Sequence, residues 1–204
     1  MGILNVTPDS FSDGGAFMTP EAALLQAGRM IAEGAAILDI GGESTRPGSW
    51  PVDEAEQMRR VLPVIRAVRA AHRDVPLSID TRSALVASAA LDAGADIIND
   101  VSALRDDGDM VNVAVRHGAP VVLMHMRGAP ADMQRDGGPV YQDVVAEVLA
   151  FLEERARWAE ARGVSKERSP AEPGIGFGKR VEDNLRLMGS LDRCVAAGRP
   201  VLVG

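Results

Sequence analysis

Several polar residues stand directly after short apolar runs in this chain, and their types suggest a site. Asp80 and Asn99 close two such runs, and Glu172 stands at the end of a weaker one. Two carboxylates and an amide suit a flat heterocycle that carries several ring N–H and amino donors and also an acceptor. Asn5 closes the first run and offers a neutral oxygen. That suits Mg²⁺ held mainly by substrate phosphates and water, because this ion usually takes few protein ligands. Thr45 and Arg46 lie in the glycine-bounded stretch 41–48, where they supply donors for a diphosphate. Any one of these residues is explained as a helix cap or turn former. Six consecutive strand ends with polar groups point instead to one functional rim.

Other residues are weighed in the same way. His125 reads as a hydrogen-bonded wall residue, or as a ligand or acid near the site. Met124 and Met126 line the pocket mouth or the core. Asp9 and Asp13 read as turn formers, with a shield for a cationic centre as a second use for Asp9. The stretch 174–179 is no phosphate-binding P-loop, since Pro173 stands where that motif needs Gly before Lys179. No Ser-His-Asp pattern and no zinc-binding helix is present.

The elements that must position these groups alternate. Apolar runs at 1–4, 36–40, 77–80, 97–99 and 121–125 read as strands, with a weak strand before Glu172 and another starting at 200–203. Helical patterns fall near 19–33, 52–72, 83–93, 109–117, 142–162 and 181–191. Thr19-Pro20-Glu21 is a helix start and Gly34 a helix stop. Pro63 is expected to kink the second helix or mark a boundary. Pro170 is expected to weaken the sixth strand by removing a ladder donor. Repeated βα units imply parallel strands with helices outside, as an open doubly wound sheet or a (β/α)8 barrel. A full barrel takes about 250 residues, so the fold expected is an incomplete (β/α)8 barrel. It has about six and a half βα units in a single domain, 1–204, that stops inside strand seven.

The chain has 204 residues, 46% of them hydrophobic, and a net charge of −7. An acidic surface argues against nucleic-acid or anionic-membrane partners. Cys194 is the only cysteine, so a disulfide framework is excluded and a cytoplasmic location is expected. No apolar run approaches a membrane span and no signal peptide is read at the N-terminus.

Taken together, the segments 1–15 (MGILNVTPDSFSDGG), 38–49 (LDIGGESTRPGS), 78–82 (SIDTR), 97–100 (IIND), 123–128 (LMHMRG) and 172–179 (EPGIGFGK) resemble the dihydropteroate synthases, in that order. The first two motifs are highly specific. The resemblance implies a (β/α)8 barrel of folate biosynthesis that joins 6-hydroxymethyl-7,8-dihydropterin diphosphate to 4-aminobenzoate, with Mg²⁺ required and sulfonamides competing for the aminobenzoate site. It implies Asn5 as the magnesium ligand, Thr45 as a diphosphate-side contact, and Asp80, Asn99 and Glu172 as the pterin-binding set, with Met124 beside them. Phe11 and Pro47 fall on the loops that build the aminobenzoate pocket, and Asp9, Phe11 and Arg46 are the expected catalytic group. The partners implied are these small molecules and a second copy of the chain in a homodimer. The family has Asp where this chain has Glu172, which adds about 1.5 Å of reach. Alternatives are a pterin-binding barrel without synthase activity and a related pterin-dependent methyltransferase domain.

Overall fold

The structure is a computed structural model that describes residues 1–7, 19–44, 51–129, 133 and 138–204. Its strands are β1 (Gly2–Asn5), β2 (Leu38–Gly41), β3 (Leu77–Asp80), β4 (Ile97–Asp100), β5 (Val121–Met124) and β6 (Ala171–Glu172). Between and after them come α1 (Pro20–Ala32), α2 (Glu54–Ala71), α3 (Ala84–Asp92), α4 (Met110–His117), α5 (Val144–Glu160), α6 (Val181–Met188) and α7 (Leu191–Ala196). The alternation and the parallel pairings place the chain in the expected α/β class.

Local chemistry explains the helix starts. The Thr19 side chain accepts from the Ala22 amide with Pro20 following it, and Asp53, Ser83 and Asp143 cap α2, α3 and α5 in the same way. Two elements differ from the sequence expectation, and a third is narrowed. Pro63 does not bound α2, which runs through it from Glu54 to Ala71. Pro63 is exposed, so water can satisfy the carbonyl that its missing N–H leaves behind. The single helix expected over 181–191 is two: α6 stops at Gly189, a weak helix former, and α7 restarts at Leu191. The strand expected over 200–203 is a single parallel bridge from Val201 to Ala171. β6 itself has two residues, in keeping with Pro170 immediately before it.

The chain forms two compact units. The first, Met1–Ser44 with Pro51–Asn99, carries the parallel ladder β1-β2-β3-β4 and helices α1 to α3. Leu38, Ile40, Leu77, Ile79 and Ile98 are fully buried, and α2 lays Val61, Val64, Ile65 and Val68 into the same core. The second, which includes Asp100–Gly204, pairs β5 with β6 and packs α5 and α6 around Val144, Val145, Val148, Leu152, Ala171 and Leu187.

Gly42, just past β2, lies so close to α2 that a Cβ there would meet Val61 Cγ1 at 2.9 Å and the Gln57 carbonyl at 3.2 Å. Gly42→Ala is therefore expected to cost about 1–3 kcal/mol by overpacking, read as a lowered midpoint in urea unfolding.

Candidate active site

Parallel register builds the first half of the site. Asn5 pairs with Gly41, Gly41 with Asp80, and Asp80 with Asn99, so the four form one row at the C-terminal ends of β1 to β4. Gly41 leaves the middle of the row open. A Cβ there would lie 3.3 Å from Asn5 Oδ1 and 3.5 Å from Asp80 Oδ2, so these two oxygens flank one gap. One step down the strands lies the row Ile3, Asp39, Ser78, Ile97. Residues two apart share a face, so Asp39 and Ser78 lie under Gly41 and Asp80.

Asp39 was not singled out in the sequence, where it stands inside an apolar run. It is 5% exposed, and Asn99, 8% exposed, donates from Nδ2 to its Oδ2 at 3.0 Å. Burial pushes the Asp39 carboxyl above its ordinary pKa, and the Ser78 and Asn99 side chains partly offset the rise. A carboxylate between Leu38 and Ile40 was itself the available signal, because a buried acid needs a partner.

The segments that leave β2 and β3 are tied down together. Glu43 pairs with Arg82 at 2.7 Å and accepts from Gln57 Nε2 at 2.8 Å. Gln57 also donates to the Val52 carbonyl and accepts from Thr81 Oγ1. Arg60 holds the Gly42 carbonyl at 2.9 Å, and the Val6 amide donates to the Gly41 carbonyl at 2.7 Å. The expected site residues Asp9, Phe11, Thr45, Arg46 and Pro47 lie outside the described residues.

The second unit holds the other expected residues. Met124 and Glu172 are register partners on β5 and β6, both buried, and the Glu172 carbonyl accepts from the His125 amide at 2.9 Å. Met124 packs with Val101, Met126, Met133 and Phe177. Lys179, 2% exposed, donates from Nζ to the carbonyls of Gly174 (2.8 Å), Phe177 (3.0 Å) and His125 (3.1 Å), and lies 2.9 Å from His125 Nδ1. In its ammonium form Lys179 has no lone pair, and Nδ1 then accepts while Nε2 carries the imidazole proton. Burial lowers the Lys179 pKa to about 7 against the attraction of Glu172. Burial, with Lys179 and Arg127 nearby, lowers that of His125 to about 3. Gly174 and Gly178, both at positive φ, bring this loop onto the end of β5. A Cβ on either would lie 2.2 Å or less from the carbonyl of His125 or Arg127.

A parallel α/β chain with carboxylates and amides ranged along its strand ends suits an enzyme that holds a polar, flat ring. The sequence model of the pterin binding enzyme family matches residues 1–204. The whole chain is 47% identical to a dihydropteroate synthase of Streptococcus pyogenes, spanning 73% of that protein. It is 48% identical to a probable bifunctional folylpolyglutamate synthase/dihydropteroate synthase of Haloferax volcanii, of which it spans 24%. It superposes in full, at 49% identity and a TM-score of 0.90, on 71% of a Xanthomonas albilineans dihydropteroate synthase solved with 4-aminobenzoic acid. The chain belongs to the pterin-binding enzyme family, within its dihydropteroate synthases, and carries the incomplete form of their TIM-barrel fold.

The His125 pKa has a consequence for stability. With a folded value of about 3 against 6.5 unfolded, the unfolded chain takes up this proton first. The imidazole's contribution is whole above pH 6.5 and is lost as pH falls toward 3. Urea unfolding of the wild type should therefore weaken between pH 6.5 and 5, and His125→Gln should flatten that slope. Equal slopes in the two proteins would refute the assignment.

Proposed function

We propose that the protein condenses 6-hydroxymethyl-7,8-dihydropterin diphosphate with 4-aminobenzoate, giving 7,8-dihydropteroate and diphosphate. The observation that carries this is the row Asn5–Gly41–Asp80–Asn99, a set of oxygen acceptors and an amide placed by strand register around an open glycine position. The 4-aminobenzoic acid named with the Xanthomonas relative supports this choice of nucleophile.

In the reaction the bond from the pterin methylene carbon to the diphosphate oxygen breaks, and the arylamine nitrogen bonds to that carbon and gives up a proton. The electron-rich pterin stabilises the carbon as the leaving group departs. Asp80 and Asn99 bind and orient the ring through its N–H and amino groups, and Glu172 is proposed as a further pterin contact. Most of the enzyme's contribution is then positioning and charge stabilisation in a site that excludes water. Thr45 and Arg46 would serve the diphosphate, and Asp9, Phe11 and Pro47 the aminobenzoate and the reacting carbon.

Magnesium fits the donor set. Among the described residues no three His, Cys, Asp or Glu side chains cluster as a metal cage, while Asn5 offers one neutral oxygen beside the open gap. An ion there would be held by Asn5, diphosphate and water, and would neutralise charge on the leaving group. Among the described residues no helix is long and apolar enough to cross a membrane. We place the protein in the cytoplasm, acting on small molecules as a homodimer.

Diphosphate release from the pterin substrate, dependent on 4-aminobenzoate and Mg²⁺, tests the reaction, and its absence in the full-length protein would sink it. Asp80→Asn should raise the KM for the pterin substrate about 10- to 100-fold, the loss expected for hydrogen bonds to a charged group, with the 4-aminobenzoate KM within about twofold. Asn5→Ala should shift the Mg²⁺ concentration for half-maximal rate upward, and an unchanged Mg²⁺ profile would remove Asn5 from the metal.

A further inference from the structure

Within the row at the strand ends, one side chain has an orientation that its own chemistry leaves open. The amide of Asn99 can present either its oxygen or its NH₂ in a given direction, and the two forms have nearly the same shape. In the structure Nδ2 points to Asp39 Oδ2 at 3.0 Å, from β4 to β2, with both side chains buried. Asn99 Oδ1, also buried, has no hydrogen-bond partner among the described residues. A buried carbonyl oxygen without a partner is costly unless a ligand or water satisfies it.

We propose that Asp39 is a positioning residue: it fixes the Asn99 amide so that Oδ1 is presented to the ligand as an acceptor, and so sets which edge of the ring the site takes. This rests on the pterin reading given above. Asp39 suits the task because its carboxyl accepts from Asn99 at Oδ2 and, when ionised, has no donor of its own to offer. It rewards the orientation with Nδ2 inward and penalises the flip, which would set two acceptors against each other. Its backbone is held on both sides, since Asp39 pairs in register with Ile3 and with Ser78, so the carboxylate is a fixed point. With Oδ1 outward, the ring must bring an N–H or amino group to it. A ring with a carbonyl at that place meets lone pair against lone pair. Discrimination of this kind is strong where a site's buried polar groups are left unpaired by the wrong ligand.

The test uses the full-length protein and two probes, 6-hydroxymethylpterin and the corresponding lumazine, in which the 2-amino group is replaced by a carbonyl. Asp39→Asn removes the bias, because an Asn at this position accepts from or donates to Asn99 equally well. Calorimetric titration should show about a tenfold loss of pterin affinity and a pterin-to-lumazine ratio at least about threefold closer to unity. The exchanged pair Asp39→Asn/Asn99→Asp again leaves an oxygen facing the ring, with the inner contact reversed. It should recover most of the pterin affinity lost in Asp39→Asn. Wild-type affinity and ratio in Asp39→Asn, or no recovery in the exchanged pair, would overturn the proposal. A readout free of ligand is the Asn99 side-chain NH₂ signal in ¹⁵N-labelled protein. Its hydrogens should exchange more slowly in the wild type than in Asp39→Ala, and equal rates would also overturn the proposal. A wild-type protein that binds no pterin yet shows the slowed exchange would count against the pterin reading and not against the Asp39 contact.

Discussion

Strand register is the constraint on which the candidate site depends. Side chains in a strand alternate between two faces, so a slip by one residue would turn Asn5, Asp80 and Asn99 away from their common face. In the first unit the register is held by what surrounds it. Ile40 and Ile79 precede Gly41 and Asp80 and are wholly buried, and Leu38 and Leu77 are buried beside them. A slip would exchange these with Asp39 and Ser78 and put apolar groups where the polar row now stands. The core thus fixes the site by making the alternative costly, without a dedicated set of contacts to each functional side chain.

That arrangement asks the core to accept polar groups, and it does so unevenly. Gln57, Glu43, Thr81 and Arg82 satisfy one another in a network that anchors the chain past β2 and β3. Asp39 and Asn99 satisfy each other on one side only. A fully connected polar cluster rigidifies its surroundings, while a partly connected one keeps a capacity for something not yet bound. The contrast separates the scaffold of the row from the part of the row proposed to meet the ring.

Much of this was legible in the sequence, for physical reasons. The strands were marked by short apolar runs, and α1 by Thr19 before Pro20, because caps and buried runs are local signals. The row Asn5, Asp80 and Asn99 was legible because a polar residue after a buried run has few places to go. Asp39 was hidden by its neighbours: inside an apolar run, one acid looks like noise until the opposite strand supplies Asn99, sixty residues away. Pro63 marks no boundary because it lies on an exposed side of α2, where water can satisfy the carbonyl that its missing N–H leaves behind. The break after Met188 hung on one glycine, whose cost of about 1 kcal/mol tips a helix only when packing does not hold it together. Asp9, Phe11, Thr45, Arg46 and Pro47 rest on motif likeness alone.

Charge shows how local the chemistry must be. The chain is acidic overall, at −7, so long-range attraction does not bring in a diphosphate or an aminobenzoate carboxylate. Nor is every cation available to an anion. Lys179 carries the one ammonium described as buried, and three carbonyls and an imidazole nitrogen consume its donors. It stitches the glycine-rich loop after β6 to the end of β5, where Gly174 and Gly178 allow the backbones to meet. A lysine at the end of a glycine-rich stretch suggests phosphate binding when read as letters. Its burial and its partners make it a structural group that holds the backbone beside Glu172.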